Sequence, residues 1–295
     1  MATNTIAGAN LAQIAEETLP HLQSCFAPLA GIVTDFSDDV AQAGASVTTR
    51  YATKPSAVDL SSAGYASQNT ELTAATVTLD SFQGFVYGFK DDERSKSSIH
   101  LNDTFISPAV QALGDKVFGD LWNLVVNSNF STNSTITAAN FDRDDCVDLA
   151  VSLTDTLKAP KAGRTIWADP SHYGALVKTL NSAEIPGMTA EKSEGIVPRV
   201  AGFDVYESDL CDANGENLAA FAFHKSALLM AARSVDTELA AQAGVEIENI
   251  VVPGLNIPVQ FRRWYDPTLG ELKYSVGLLY GVAKGTGMGH RIVTA

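Results

Sequence analysis

The sequence predicts an α+β fold, and three observations carry that expectation. Two runs late in the chain, Val259–Tyr265 and Leu272–Val282, alternate apolar and polar residues around the loop Asp266-Pro267-Thr268-Leu269-Gly270. A period of two that turns back on itself through such a loop is a hairpin with one buried face. Apolar residues at helical spacing fill Thr104–Asn127. Between these two elements, from about Phe141 to Pro258, short apolar runs alternate with helical patterns, as in an α/β unit.

In chain order, residues 1–45 read as an N-terminal arm. Leu11, Ile14, Ala15, Leu19 and Leu22 share one helical face, although Pro20 is expected to kink or split that helix. After Pro28 no period is sustained, so Gly31–Gly44 is not expected in a compact core. Residues 46–95 hold two short strands, Val47–Ala52 and Thr73–Leu79, separated by Thr53–Leu72. That Ser-, Ala- and Thr-rich connection far exceeds the usual ~4–6 residues, so it is either a mobile surface loop or a projection whose packing partner lies on another molecule. Phe85, Tyr87 and Phe89 continue a strand as far as the charged turn Asp91-Asp92-Glu93-Arg94.

Residues 96–140 hold the longest expected element. Ile106, Val110, Leu113, Val117 and Leu121 form the apolar stripe of a helix over Thr104–Asn127, ~35 Å long at ~1.5 Å per residue. Pro108 fits within its first turn, and the polar run Asn127–Asn140 follows. In the α/β unit, 141–258, Asp142, Asp144 and Asp145 open a helix that ends before Pro160. Arg164–Ala168 is a strand, and Asp169-Pro170 caps a further helix. Phe203–Tyr206, Leu218–Phe223 and Ala227–Ala232 are strands, the last two flanking His224-Lys225-Ser226. Residues 259–295 supply the closing strands.

Composition excludes several classes of function. A chain of 295 residues with 45% hydrophobic and 18% charged residues has the makings of a large core. Its net charge of −14 argues against gripping nucleic acid or an anionic membrane. No run approaches the ~20 apolar residues of a membrane span, and Met1–Ile6 lacks the basic start of a secretory signal. Cys25, Cys146 and Cys211 are odd in number and far apart, so they read as reduced thiols.

No catalytic, cofactor or metal site is expected. Gly285, Gly287 and Gly289 lack a following helix to meet a phosphate, and read instead as a terminal turn needing positive φ. The cluster Asp142, Asp144, Asp145 and Asp148 suits the dipole of a helix start. His172 could pair with Asp169 but reads as a surface residue. Trp264-Tyr265 and the apolar residues of the last strand read as core. There is no Gly-x-Ser-x-Gly elbow.

The order of arm, strand–long loop–strand, long helix, inserted α/β unit and closing hairpin resembles the HK97-like fold of tailed-bacteriophage major capsid proteins. Its shape looks like the branch of P22-type coat proteins. The likeness rests on Thr76–Asp80 through Phe89–Glu93 before the helix, Phe223-His224-Lys225-Ser226-Ala227, and Phe261–Asp266 leading to Tyr280-Gly281. It implies that Thr53–Leu72 is an extended loop lying across a neighbouring subunit, with Lys54, Asp59, Tyr65 and Glu71 as contact candidates. It makes Thr104–Asn127 the spine helix of a peripheral domain and 141–258 an axial domain, while the arm reaches adjacent subunits. The expected partners are further copies in hexamers and pentamers, a separate scaffolding protein and a portal. The shell encloses double-stranded DNA without specific binding, and the expected location is the virion, assembled in a host cytoplasm. The alternatives are an encapsulin-type compartment, an exported surface protein, or an enzyme whose site is invisible in sequence.

Overall fold

The structure is a computed structural model and describes residues 11–34, 46–52, 57–63, 72–91, 107–179 and 199–294. Among the described residues, the α-helices of five residues or more are α1 (Leu11–Cys25), α2 (Ser107–Trp122), α3 (Arg143–Asp155), α4 (Pro170–Thr179) and α5 (Glu238–Gln242). The strands are β1 (Ser46–Ala52), β2 (Leu72–Thr78), β3 (Ser81–Lys90), β4 (Asn133–Thr135), β5 (Arg164–Ala168), β6 (Arg199–Val200) and β7 (Phe203–Glu207). They continue with β8 (Leu218–His224), β9 (Leu228–Arg233), β10 (Glu246–Val252), β11 (Ile257–Asp266), β12 (Glu271–Lys284) and β13 (Gly289–Val293).

Three sheets result. β1 and β2 make a two-stranded antiparallel ladder. A five-stranded antiparallel sheet runs β10-β11-β12-β3, with β9 pairing the far end of β12. A six-stranded mixed sheet runs β4-β13-β8-β5-β7-β6, parallel at β4–β13 and at β5–β7. β11 and β12 form the hairpin that the alternation indicated, with Asp266 opposite Glu271. Tyr274, Val276, Leu278 and Tyr280 are its buried side.

α2 lies between the two large sheets. Val110, Leu113, Val117 and Leu121 are fully buried, and Ile106 lies outside the described residues. The same core takes Phe261, Tyr274 and Val276 from one sheet and Trp167, Phe221 and Phe223 from the other. Phe118 meets the Trp167 ring at 4.8 Å, and Trp167 meets Phe223 edge-on at 4.7 Å. α2 ends at Trp122, not near Asn127. There Asn214 donates to the carbonyls of Trp122 (3.2 Å) and Val125 (3.5 Å), while the Trp122 indole donates to Asp212 O at 3.0 Å. Carbonyls left open at a helix end need such partners. A second core, around Phe141, Cys146, Leu149, Leu153 and Leu176, lies where α3 and α4 cover the six-stranded sheet.

Residues 11–34 do not behave as a free arm: Leu11, Leu22, Phe26, Leu29 and Ile32 are buried in the main core. α1 also runs through Pro20 as one helix, because Pro20 and its i−4 neighbour Glu16 are both exposed and water can serve the freed carbonyl. Residues 1–10 and 35–45 of the proposed arm lie outside the described residues.

The boundaries 141–258 and 259–295 also shift. β9 and β10 belong to the five-stranded sheet, and β13 joins the six-stranded one between β4 and β8. The polar run 127–140 contains β4, paired with β13. The last three glycines do not have positive φ. A Cβ on Gly285 would stand 2.1 Å from Ser226 O, and one on Gly289 would stand 2.4 Å from the Phe221 ring. Close approach, not turn conformation, requires glycine at those two positions.

The tightest such approach is at Gly281, where a Cβ would lie 1.9 Å from Thr78 O as β2 crosses β12. Gly281→Ala should therefore lower the urea midpoint of the purified protein by the equivalent of about 1–3 kcal/mol, the usual cost of overpacking. Gly287→Ala, with open space around it, should stay within about 0.5 kcal/mol of the parent. Equal losses from the two would contradict this packing.

Candidate assembly surfaces

Among the described residues, four surfaces outside the cores are incompletely covered. The first is the β1–β2 ladder. Val47 faces Val77 across the strands, and these two pack on Leu229 and Ala231. Further out, Arg50, Ala74 and Thr76 are exposed, with Thr48 Oγ1 and Thr76 Oγ1 3.1 Å apart. A two-stranded ladder standing alone is marginal in water. The helical turn Leu60–Ala63 follows β1, and Asp59 accepts from Ser61 N (2.9 Å) and Ser61 Oγ (2.5 Å). Val58 and Leu60, on either side of exposed Asp59, are 45% and 51% exposed. Lys54, Tyr65 and Glu71 lie outside the described residues.

The second surface is the bare face of the five-stranded sheet. β3 buries Phe85 and Phe89 toward the core, so Phe82, Gly84, Val86 and Gly88 point outward. Phe82 is 58% exposed and Val86 62%. Gly84 and Gly277 face each other in register and leave a trough between Phe82, Val86 and Trp264, about 410 Å³ in volume. Trp264 is only half-buried and Tyr265 exposed, against the expectation of core. This end of β11 pairs with the start of β12 beside the hairpin turn, where the alternation buries neither ring completely.

The third surface is the outward side of α3, where Val147 and Val151 are exposed beside an open groove of about 480 Å³ that also takes Lys161, Ala201 and Gly202. The helix itself is fixed at both ends. Asp142 and Asp145 form a reciprocal capping box, so these acids are satisfied as a helix start. Arg164 is buried beneath the other end, donating to Ala150 O at 3.1 Å, Thr154 Oγ1 at 2.8 Å and Ala159 O at 2.8 Å. Burial alone lowers its pKa from the ordinary value.

The fourth surface is the β11–β12 turn, where Leu269 and Tyr265 are exposed. The turn is held by Lys273–Asp266 at 2.8 Å and by Tyr265 donating to Asp91 at 2.7 Å. All four surfaces present apolar side chains.

The chemistry available is meagre. Among the described residues no cluster of His, Cys, Asp or Glu could hold a metal ion, and no helix is long and apolar enough to cross a membrane. Cys25, Cys146 and Cys211 are free thiols, and burial followed by nearby aspartates pushes Cys146 up to about 12. His172 is not a surface residue: it is 1% exposed, bonded to Asp169 at 2.7 Å and to Ile136 O at 3.2 Å. Its place under the helix start, against Phe141, pulls it inside.

His290 bridges Ser134 Oγ and Ser152 Oγ, both at 2.8 Å, and so ties β13 to β4 and α3. On the opposite face of β13, buried Arg291 donates to Phe130 O at 2.7 Å and Asn127 Oδ1 at 2.8 Å, and pairs with Glu216. These polar groups are structural ties.

No protein-family model matches this chain, and no curated protein matches it. Solved structures do. One from Mycobacterium phage Che8 superposes with a TM-score of 0.61 at 17% identity, covering 89% of each chain. The capsid of the cyanophage P-SCSP1u gives 0.63 at 14% identity, over 90% of this chain and 86% of that one. A virus-like particle from Pyrococcus furiosus gives 0.57 at 9% identity, over 95% and 98%. The chain therefore has the mixed helix-and-sheet fold of phage capsid proteins across almost its whole length.

Two buried imidazoles make stability depend on pH. Burial, then Lys225 and Arg164, lower the pKa of His224 below its ordinary 6.5, against a smaller upward pull from the Ala162 backbone. Burial alone lowers that of His290. Both titrate near 6.5 in the unfolded chain, which therefore binds more protons than the folded one just below that pH. Stability should decline as pH falls below about 6.5, where the unfolded chain takes up these protons first. Thermal melts of the subunit should show this decline, and His224→Gln/His290→Gln should flatten it; an unchanged slope would contradict the assignment.

Proposed function

We propose that the chain is a structural major capsid protein. Copies self-assemble as hexamers and pentamers into an icosahedral head that encloses double-stranded DNA. A separate scaffolding protein and a portal assist, and assembly takes place in a host cytoplasm. In this reading α2 is the spine of a peripheral domain built on the five-stranded sheet. The six-stranded sheet with α3 and α4 is the axial domain, and Thr53–Leu72 extends across a neighbouring subunit.

The observation that carries the reading is the β1–β2 ladder, which is anchored near its Val47–Val77 end, with Ala75 beside it, while Arg50, Ala74 and Thr76 are exposed. The fold likeness supports it, because fold alone leaves function open while exposed strands and apolar patches on one molecule call for other copies. Each contact can be weak, since a closed shell multiplies it. The −14 charge suits a container that does not grip its DNA. The likeness to the Pyrococcus furiosus particle supports a second reading, an encapsulin-type compartment shell. Native particles would then enclose protein cargo in place of nuclease-protected DNA.

Deleting Ser56–Gln68 should leave a folded subunit, judged by circular dichroism and size exclusion, that yields no stable shells in negative-stain microscopy. Intact shells from the deletion would contradict this role of the loop.

A further inference from the structure

We infer that the trough on the bare face of the five-stranded sheet receives the Val58-Asp59-Leu60 segment of a second copy of this chain. The inference rests on the shell reading and names the surfaces that meet. An antiparallel sheet with one face in water normally presents polar residues there. This one presents Phe82 and Val86, more than half exposed, around a floor of two facing glycines. Gly84 lets β3 and β12 approach closely, since a Cβ there would stand 2.3 Å from Val276 O, the Phe82 ring lies beside Gly277, and Trp264 closes one wall. An apolar hollow of this kind marks a surface that is covered in use.

Charge identifies the occupant. In a chain of net −14, the one charged residue among the described residues lining the trough is a cation, Arg262. Its Nε donates to Gln260 Oε1 at 2.7 Å, which holds the guanidinium in place. The segment 57–63 has the complementary composition: one carboxylate, Asp59, between exposed Val58 and Leu60. Val58 and Leu60 enter the trough between Phe82, Val86 and Trp264, while Asp59 meets Arg262. A guanidinium–carboxylate contact sets the register. The joint is smaller than a pairwise complex of standard size needs. It acts by repetition around a shell.

Two experiments on the full-length chain test the joint. With Val58→Cys and Val86→Cys together, mild oxidation of assembled particles should give a ladder of covalent multimers on a non-reducing gel; neither single variant should. Independently, Arg262→Glu and Asp59→Arg should each lose particle assembly, and the double variant should regain it. Circular dichroism of each subunit checks that it is folded. Particles that form without a ladder, or a disulfide confined within single chains, would overturn the joint while leaving the shell reading intact. A double charge variant that stays folded but unassembled would also overturn it. Absence of particles from the unaltered chain would instead refute the shell reading itself.

Discussion

The architecture depends on β12. This fourteen-residue strand pairs β3 along one edge, and β11 and then β9 along the other. Its apolar face supplies Tyr274, Val276, Leu278 and Tyr280 to the core that holds α1 and α2. Tyr280 is buried, yet its hydroxyl donates to Asp120 on α2 at 2.6 Å, which couples helix and sheet through a charge-assisted bond. Beyond Tyr280 the strand narrows to Gly281, and that glycine lets β2 pass over it. Where β12 permits β2 to cross, the β1–β2 ladder leaves the body of the molecule.

The same strand explains why one face of the sheet is bare. α1 and α2 cover the inner face, and the outer face receives the alternate residues of β3, β11 and β12. In a solitary protein those positions would be expected to be polar. Here aromatic rings, valine and glycine stand beside Gln260, Arg262 and Ser275. Together with the ladder, the α3 stripe and the turn at Leu269, they leave apolar side chains exposed around two packed cores.

Local periodicity made much of this legible. The spacing of Val110, Leu113, Val117 and Leu121 marks one helix face, alternation across Leu272–Val282 marks one strand face, and Asp142 and Asp169 mark helix starts. Periodicity says which face is apolar but not which distant segment covers it. For that reason it could not place β13 in the six-stranded sheet, β9 in the five-stranded one, or the α1 stripe in the main core. It also missed the burial of His172, which depends on Phe141 and the Ile136 carbonyl, neither of which Asp169-Pro170 reveals. The trough had a faint local signal: Gly84 and Gly88 recur on β3 at strand spacing. Its meaning came only when Gly277 was found opposite Gly84.

Amide hydrogen exchange of β1 and β2, compared between assembled particles and the isolated subunit, tests the central claim most directly. If sibling copies complete this polypeptide, the outer ladder from Thr48 to Ala52 and from Leu72 to Thr76 should exchange readily in the subunit and become protected in the particle. Protection as strong in the isolated subunit as on β12 would show the ladder to be complete without a neighbour and contradict the account.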